Sequence, residues 1–267
     1  SAGMGYVSTS TSIEGLVINY NFDSNGSNSG TYGSSYDMIL SSDTINTNSE
    51  NVKFGNGALY INRSVSLRNN TNTVFNSTPT NWCISLWMKT NTFIATNHSI
   101  FKIRVDGNGP RHNMTIAFNS QTQILLFLYK NDGTMGESSL PFIPISINPF
   151  DNTYHHYFFK CENQTFTAYI DDISIGSITF DRTIPGKKLY NFTLGDSRTD
   201  NIPNTYFDDV KIFDKIVTIE EAKQNISTTS VFYVEISNNV FYIDGSANPN
   251  LTFTPDTTYV FDLSHNS

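Results

Sequence analysis

The chain has 267 residues, a formal net charge of −8 and only 15% charged residues. Binding to nucleic acid phosphates requires clustered Lys and Arg side chains, and the sequence has no such cluster, so nucleic acid is excluded as a partner. The longest apolar run, residues 124–129, is far shorter than the roughly 20 residues of a membrane-spanning helix. We therefore expect no insertion into a membrane.

Most of the chain has the pattern of short strands. Aromatic residues make up 13% of it, and aromatic and β-branched residues favour strands. Short apolar runs alternate with turns rich in Gly, Asn, Asp and Ser, which is typical of an antiparallel all-β sandwich. The three prolines of residues 141–149 predict an edge or a loop there. The predicted strands are 16–22, 38–40, 58–61, 82–89, 100–105, 114–118, 124–129, 154–159, 166–170, 173–180, 190–194 and 206–213.

One segment, residues 218–225, has the pattern of a helix. Thr218 precedes Glu221 by three residues, which is the spacing of a capping box, in which each side chain accepts a backbone N–H of the other. We expect this short helix to close the first domain.

A second β pattern begins after the polar linker 227–230. Its predicted strands are 231–236, 240–243, 251–253 and 259–261. Four short strands with little to cover them do not form a stable sandwich alone. We therefore expect residues 231–267 to be part of a second β domain, either truncated or completed by a partner.

The two cysteines, Cys83 and Cys161, both lie in predicted strands. A disulfide bond between them is possible from the sequence. Two buried free thiols are the favoured alternative, because free cysteine behaves as a small buried apolar residue.

Six segments, in this order along the chain, resemble the laminin-G-like and pentraxin-like branch of the concanavalin A jelly-roll superfamily. They are GLVINYNFD (15–23), FGNGALYI (54–61), WCISLWMK (82–89), YHHYFF (154–159), FTAYIDDISIGS (166–177) and YFDDVKIFDKIVTIEEA (206–222). The resemblance implies a two-sheet antiparallel jelly roll over residues 14–226, with a hairpin at 171–172. Tyr154 stands where the family usually has Trp, and the segment between Lys130 and Asn152 is a long insertion.

The C-terminal segment 241–264 resembles the opening of a cupredoxin-like β domain. The copper ligands of that fold would follow Ser267, and only His265 is present here. We therefore assign no copper site.

Catalysis by a glycoside hydrolase requires two carboxylates that flank one bond. The nearest candidates are the adjacent pairs 171–172, 208–209 and 220–221. Neighbouring residues on a strand face opposite sides of the sheet, so no pair is expected to converge. This predicts a protein that is not an enzyme.

His155 and His156 are the other candidates for acid–base chemistry. On one strand their side chains face opposite sides, so we expect one to pack inside and one to lie on the sheet surface. No nearby acid is evident to orient either ring, and there is no nucleophile elbow.

The family resemblance implies a structural calcium ion shared by an Asp after the first strand and an Asp near the last strand. In this sequence these residues are Asp23 and Asp208, with Asn25 or backbone carbonyls as further ligands. Such oxygen donors from separate loops suit calcium. The alternative is that Asp208 caps a turn or pairs with a lysine.

Sugar-binding sites combine aromatic faces with planar polar side chains. Loops 32–36, 106–112 and 150–154 carry such groups. The candidate ligand-binding residues are Tyr32, Tyr36, Arg111, His112 and Tyr154. In an all-β protein each aromatic residue also fits a place in the core.

These features together favour a non-catalytic carbohydrate- or receptor-binding adhesion module of a larger protein, displayed extracellularly or on a virion surface. Its partner would be a glycan or a cell-surface receptor. The first alternative is a structural or assembly component of a virion, packed against neighbouring virion proteins. A glycoside hydrolase or lyase is the third interpretation. The functional part of this prediction rests on fold analogy.

Overall fold

The protein is described from a computed structural model. The residues that the structure describes are 13–38, 40, 45–61, 73–75, 81–93, 98–105, 113–121, 123–128, 138–139, 143–144, 146–179, 189–194, 204–224, 230–237, 240–243, 246–247 and 259–262. The chain divides into two compact units. The first is Gly15–Lys223, and the second contains the residues that follow.

The described part of the first unit contains fifteen strands and one α-helix, α1 (Ile219–Lys223). The strands are β1 (Leu16–Tyr20), β2 (Ile45–Asn46), β3 (Ala58–Ile61), β4 (Thr73–Phe75), β5 (Asn81–Lys89), β6 (His98–Val105), β7 (Asn113–Ser120), β8 (Gln123–Leu128), β9 (Ser138–Ser139), β10 (Ile143–Pro144), β11 (Tyr154–Glu162), β12 (Thr165–Ile170), β13 (Ile173–Thr179), β14 (Leu189–Leu194) and β15 (Thr205–Phe213). Short 3-10 helices occupy Ser34–Tyr36 and Ser49–Asn51.

These strands form two antiparallel sheets. Sheet 1 has eight strands in the order β13-β12-β11-β5-β15-β3-β2, with β1 also paired to β15. Sheet 2 has the order β10-β8-β7-β6-β14-β4, with β9 paired to β8. The predicted all-β sandwich is therefore confirmed, and the proline-containing β10 lies at the edge of sheet 2, as expected.

The core lies on one face of sheet 1 and is shared with sheet 2. Alternation along the strands decides which residues enter it. On β12, for example, the buried residues are every second one. Large core residues of sheet 1 include Ile84, Leu86, Met88, Tyr157 and Phe159, and those of sheet 2 include Ile100, Phe101, Ile116, Phe118 and Ile124. Burial of each such side chain stabilises the fold by roughly 1.5–3 kcal/mol.

The hairpin between β12 and β13 has the tightest possible turn. Ile170 is the Cα partner of Ile173, so only Asp171 and Asp172 lie between the strands. Their φ angles are 49° and 67°, and positive φ at both central residues is the signature of a type I′ turn. The predicted hairpin at 171–172 is confirmed.

A β-bulge interrupts β15. Asp208 is the Cα partner of Trp87 and Lys211 that of Ser85, so two residues of β15 stand opposite one residue of β5. Asp209, one of the two, has a φ of 46°. Because of the extra residue, Asp208 and Lys211 face the same side of sheet 1 as Trp87 and Ser85.

The helix α1 is tied to this bulge. Lys211 Nζ is fully buried and donates to Asp209 Oδ2 at 2.6 Å and to the carbonyl of Ala222 at 3.1 Å. The predicted capping box is present: the Thr218 N–H donates to Glu221 and the Glu221 N–H donates to Thr218. No helix in the described ranges is long and apolar enough to cross a membrane.

The strand predicted at 38–40 is wrong at both of its described positions. Met38 and Leu40 are not in a strand, and the Met38 N–H donates to the carbonyl of Gly26 at 2.7 Å.

The two cysteines are buried and free. Cys161 is the Cα partner of Trp82, and both side chains belong to the core. Cys83 is the Cα partner of Lys160, one residue along each strand, so its side chain faces the other side of the sheet.

The second unit has four described strands: β16 (Ser230–Ser237), β17 (Val240–Ile243), β18 (Ser246–Ala247) and β19 (Tyr259–Asp262). They form one sheet in the order β18-β17-β16-β19, in which β16 and β19 are parallel. The predicted strand 251–253 and His265 lie outside the described residues. The cupredoxin-like resemblance stays a prediction.

Candidate functional site

The face of sheet 1 that is directed away from the core, here called the outer face, carries rows of aromatic and charged residues. In one row, Tyr60, Tyr206, Lys89 and Tyr154 are successive Cα partners on β3, β15, β5 and β11. The next row is Asp208, Trp87 and His156. These positions alternate with core positions on the same strands, which is why aromatic side chains reach the outside.

Four of the partly exposed aromatic residues on the outer face pack in two pairs. The ring centroids of Tyr60 and Tyr206 are 4.9 Å apart. The rings of Phe54 and Trp87 pack edge to face, with their centroids 5.6 Å apart. The two pairs are offset by two residues along the strands, which is about 7 Å. We call these four residues the aromatic strip.

A loop formed by residues 48–57 crosses the outer face and is anchored by β5 and β11. Lys89 Nζ donates to the carbonyl of Glu50 at 2.7 Å and to Asn51 Oδ1 at 3.1 Å. The Tyr154 hydroxyl donates to the carbonyl of Asn51 at 2.7 Å. Burial raises the pKa of Tyr154. Tyr154, predicted to bind a ligand, is therefore engaged in holding this loop.

Two aspartates fix the part of the loop that reaches Trp87. Asp208 Oδ2 accepts the N–H groups of Lys53 at 2.9 Å and Phe54 at 3.1 Å. Asp23 Oδ1 accepts the N–H of Asn56 at 2.6 Å. The two residues that the sequence paired for calcium thus act on one loop, and Asp208 sets the position of Phe54 beside Trp87.

The remaining oxygens of the predicted calcium ligands also accept hydrogen bonds. Asp208 Oδ1 accepts the N–H of Asp209, Asp23 Oδ2 accepts the amide of Asn21, and Asn25 Oδ1 accepts an N–H two residues on. Burial raises the pKa of Asp208 to about 7, although hydrogen bonds from the loop act in the opposite direction. No group of three or more His, Cys, Asp or Glu side chains suited to a metal occurs within the described ranges. In this arrangement these side chains hold the loop, and calcium binding stays a prediction.

Two lysines stand over Trp87. Lys53 Nζ lies 4.1 Å from the centroid of the Trp87 ring and 5.6 Å from that of Phe54, and Lys223 Nζ lies 5.8 Å from Trp87. Both distances to Trp87 are in the range of a cation–π interaction. Lys223 also forms an ion pair with Asp172 at 2.5 Å. Trp87 is therefore the centre of a group that combines aromatic and charged side chains.

His156 packs under this group. Its ring lies 5.0 Å from the Trp87 ring, its Nε2 is 2.8 Å from the Ser85 hydroxyl, and its Nδ1 is 3.8 Å from Asp172 Oδ1. Burial lowers the pKa of His156 to about 4, and the Lys223 ammonium acts in the same direction. The order Ser–His–Asp is that of a hydrolytic triad, but Ser85 is fully buried and Asp172 is paired with Lys223. A substrate carbonyl has no access to the serine hydroxyl in this arrangement.

The expectation for the two histidines is wrong in two respects. Both are buried, at 7% exposure for His155 and 1% for His156. Acids do orient the rings, because the hairpin turn lies beside β11: His155 Nδ1 is 2.6 Å from Asp171 Oδ2 and its Nε2 is 3.1 Å from Asp151 Oδ1. Asp171 Oδ1 also accepts the N–H of His156 at 2.9 Å. The contacts with Asp171 join residues 15 and 16 positions apart, whereas Asp151 is only four residues from His155 and could have been considered from the sequence.

The strand argument about adjacent acidic pairs also needs correction. Residues 171–172 form a turn, 208–209 span the bulge of β15, and 220–221 lie in α1. Strand alternation therefore does not decide where these carboxylates point. The contacts of 171–172 and 208–209 show instead that they hold neighbouring segments together.

Two of the other predicted ligand residues, Tyr32 and Tyr36, do not join Tyr154. Tyr32 and Tyr36 pack on each other at 4.8 Å and against the core. The Tyr32 N–H donates to the carbonyl of Val17 and the carbonyl of Tyr36 accepts the Tyr20 hydroxyl, so both residues lie beside β1. Burial raises the pKa of Tyr32 to about 12. Arg111 and His112 lie outside the described residues.

The sequence analysis missed Lys53, Phe54, Trp87 and Lys223 as a group. A signal for Trp87 was available, because in WCISLWMK it shares its strand face with Ser85 rather than with the apolar residues. No signal in the sequence brings residues 53 and 223 to it. Their positions depend on hydrogen bonds to the bulge of β15.

The fold and this site together define a two-sheet β-sandwich of the jelly-roll class with an aromatic outer face. Residues 56–223 match the family model of the concanavalin A-like lectin/glucanases superfamily. The chain belongs to this family. No match is found among curated protein sequences.

Several solved structures share the fold. The binding domain of botulinum neurotoxin serotype G has a TM-score of 0.57 at 16% identity, over 78% of this chain and 49% of that one. The binding domain of Paraclostridial Mosquitocidal Protein 1 has a TM-score of 0.55 at 12% identity, over 78% and 51%. The ligand-binding domain of botulinum neurotoxin serotype D, in complex with N-acetylneuraminic acid, gives 0.55 at 12%, over 86% and 61%. This chain spans about half the length of the first two domains.

The first prediction concerns the loop anchor at Asp23. Gly55 has a φ of 62°, and a Cβ there would lie 1.8 Å from Asp23 Oδ1. In a chain that carries Asp23→Ala, the carboxylate that this Cβ would meet is absent. Gly55→Ala carries the cost of a left-handed conformation in both backgrounds, roughly 1–2 kcal/mol. In the unmodified chain it additionally displaces the Asp23 carboxylate from Asn56, so we expect it to cost at least about 1 kcal/mol more there than in the Asp23→Ala background.

Urea-induced unfolding followed by circular dichroism measures both free energies. Equal destabilisation by Gly55→Ala in the two backgrounds would contradict the role of Asp23 in holding the loop.

The second prediction concerns the hairpin turn. The two carboxylate oxygens of Asp171 contact His155 Nδ1 and the backbone N–H of His156. Asp171→Asn replaces one of these oxygens with an amide nitrogen, which cannot accept a hydrogen bond. We expect a loss of about 1–3 kcal/mol in the free energy of unfolding. Asp172→Asn is the matched control, because Asn suits the same left-handed turn, and its exposed ion pair is worth about 0–1 kcal/mol. Chemical denaturation of the two variants and the unmodified chain makes the comparison. A larger loss for Asp172→Asn would show that the histidine contacts do not stabilise the fold.

Proposed function

We propose that this chain is a non-catalytic carbohydrate- or receptor-binding adhesion module of a larger surface protein, and that it binds its ligand at the aromatic strip. The observation that carries the proposal is the partial exposure of four aromatic residues on the outer face of a sheet. Partly exposed aromatic residues next to polar groups are the usual lining of a ligand site.

The strip has the chemistry that a sugar requires. Aromatic rings offer flat apolar faces for the C–H faces of a sugar ring, and neighbouring polar groups give orientation. Tyr60 donates its hydroxyl to Asn204 Oδ1 at 2.7 Å. The amide nitrogen of Asn204, which is exposed, is then directed away from this bond and is available to a ligand hydroxyl.

The strip is also held rigidly, which reduces the entropy lost on binding. Three of its rings stand on the paired strands β3, β15 and β5. The fourth, Phe54, is on the loop that Asp208 fixes through two backbone N–H groups. A preformed surface of this kind is what an adhesion module needs.

The comparisons give support at the level of the fold. The solved structures of similar fold are named as binding domains, and one is a complex with N-acetylneuraminic acid. Their sequence identity to this chain is 12–16%, so the ligand does not transfer with the fold.

Burial of Ser85 and His156 favours binding over hydrolysis at this face. An extracellular or virion-surface location, a structural calcium ion and a role in virion assembly stay predictions.

The test is a glycan array followed by calorimetry on the full chain. Trp87→Ala and Tyr206→Ala are expected to weaken binding of any positive glycan at least about fivefold, since each stacked ring contributes on the order of 1 kcal/mol or more. Tyr169→Ala is the control, because Tyr169 is a partly exposed aromatic residue on the same face of β12, paired with Phe158. Its affinity should be unchanged.

A uniformly flat response across diverse glycans contradicts the proposal, and so does an equal loss with Tyr169→Ala. The same titrations are repeated with calcium and then with a chelator. We expect a structural calcium ion to raise the unfolding temperature without altering glycan specificity.

A further inference from the structure

The Trp87 end of the aromatic strip differs in charge from the chain as a whole. The net charge of the protein is −8. At Trp87, however, two ammonium groups lie near one ring, Lys53 at 4.1 Å and Lys223 at 5.8 Å. A local concentration of cations on an acidic protein attracts an anionic group to that place and leaves the rest of the surface unfavourable to it.

Lys53 is the more available of the two cations. It is exposed, and no ion pair involving it occurs in the part of the chain that the structure describes. Its backbone N–H is bound to Asp208, so the start of its side chain is fixed while its ammonium group is open to solvent. A ligand carboxylate can therefore approach Lys53 without breaking an existing salt bridge.

Lys223 is paired, but its partner can be replaced. The Asp172 side chain is 55% exposed and that of Lys223 is 29% exposed. Exposed ion pairs contribute little to stability and are screened by salt. A ligand carboxylate that reaches Lys53 at the same time gains a second cation and compensates for the loss of Asp172.

We infer that the Trp87 end of the strip binds an acidic sugar, with its carboxylate between Lys53 and Lys223 and its ring against Trp87 and Phe54. This inference rests on the proposed function and specifies its ligand class. Lysine suits the role because a compact ammonium group binds a single carboxylate without demanding a planar geometry. Nucleic acid does not fit, because the chain as a whole carries a net charge of −8.

The ligand class is tested by calorimetric titration of the full chain with sialyllactose and with its methyl ester, in which the carboxylate no longer carries a charge. We expect sialyllactose to bind at least tenfold more tightly at low salt, and the difference to shrink as salt is raised. Lys53→Gln should remove most of that difference. Lys53→Arg should retain it in part.

Two further variants isolate the site. Lys160→Gln is the control for total charge, because it removes one positive charge from the same outer face, two rows from Trp87. Lys160 forms an ion pair with Glu162 there. The substitution should leave the affinity for sialyllactose unchanged. Asp172→Asn removes the competing carboxylate and should raise that affinity about threefold. Thermal unfolding of each variant confirms that the fold is intact.

Each outcome is decisive. Equal affinity for sialyllactose and its methyl ester, with both sensitive to Trp87→Ala, overturns this inference and leaves the proposed function standing. Equal losses for Lys53→Gln and Lys160→Gln also overturn it, because the effect would then be one of total charge. Absence of binding to every glycan overturns both proposals.

Discussion

The hydrogen bonds from the loop to the buried carboxylate of Asp208 are the interaction on which the outer face depends. Strand alternation directs this side chain outward, at the residue where the bulge of β15 begins, and it accepts the N–H groups of Lys53 and Phe54. Those two bonds place an aromatic ring beside Trp87 and an ammonium group over it. Without them, Trp87 would lose its contacts with Phe54 and Lys53. The candidate site therefore depends on how one buried carboxylate holds the main chain of this loop.

A second irregular segment supports the same face from the other side. The type I′ turn of the β12–β13 hairpin carries two aspartates, and each has a separate task. Asp171 binds the consecutive histidines of β11, while Asp172 pairs with Lys223 of α1. The helix is fixed in turn by the buried ammonium of Lys211. Turn, strand and helix thus form a connected support under Trp87, which is why its surroundings are rigid without a disulfide bond.

Local patterns in the sequence were sufficient for much of the fold. Alternation in segments such as 82–89 located the strands, and the spacing of Thr218 and Glu221 located the start of α1. The site could not be predicted in this way. Lys53 and Asp208 are 155 residues apart in the chain and meet through a backbone N–H, which has no sequence signature. The histidine contacts were missed because strand alternation says nothing about a turn that reaches the neighbouring strand.

The manner in which Asp208 holds the loop has a consequence for how this surface can change. The carboxylate recognises main-chain N–H groups, which every residue except proline supplies. The side chains at positions 53 and 54 can therefore be exchanged while the path of the loop is preserved. Specificity and architecture are encoded by different atoms of the same two residues. A lineage of such domains could thus acquire new ligands by altering these side chains, with the sandwich beneath left as it is.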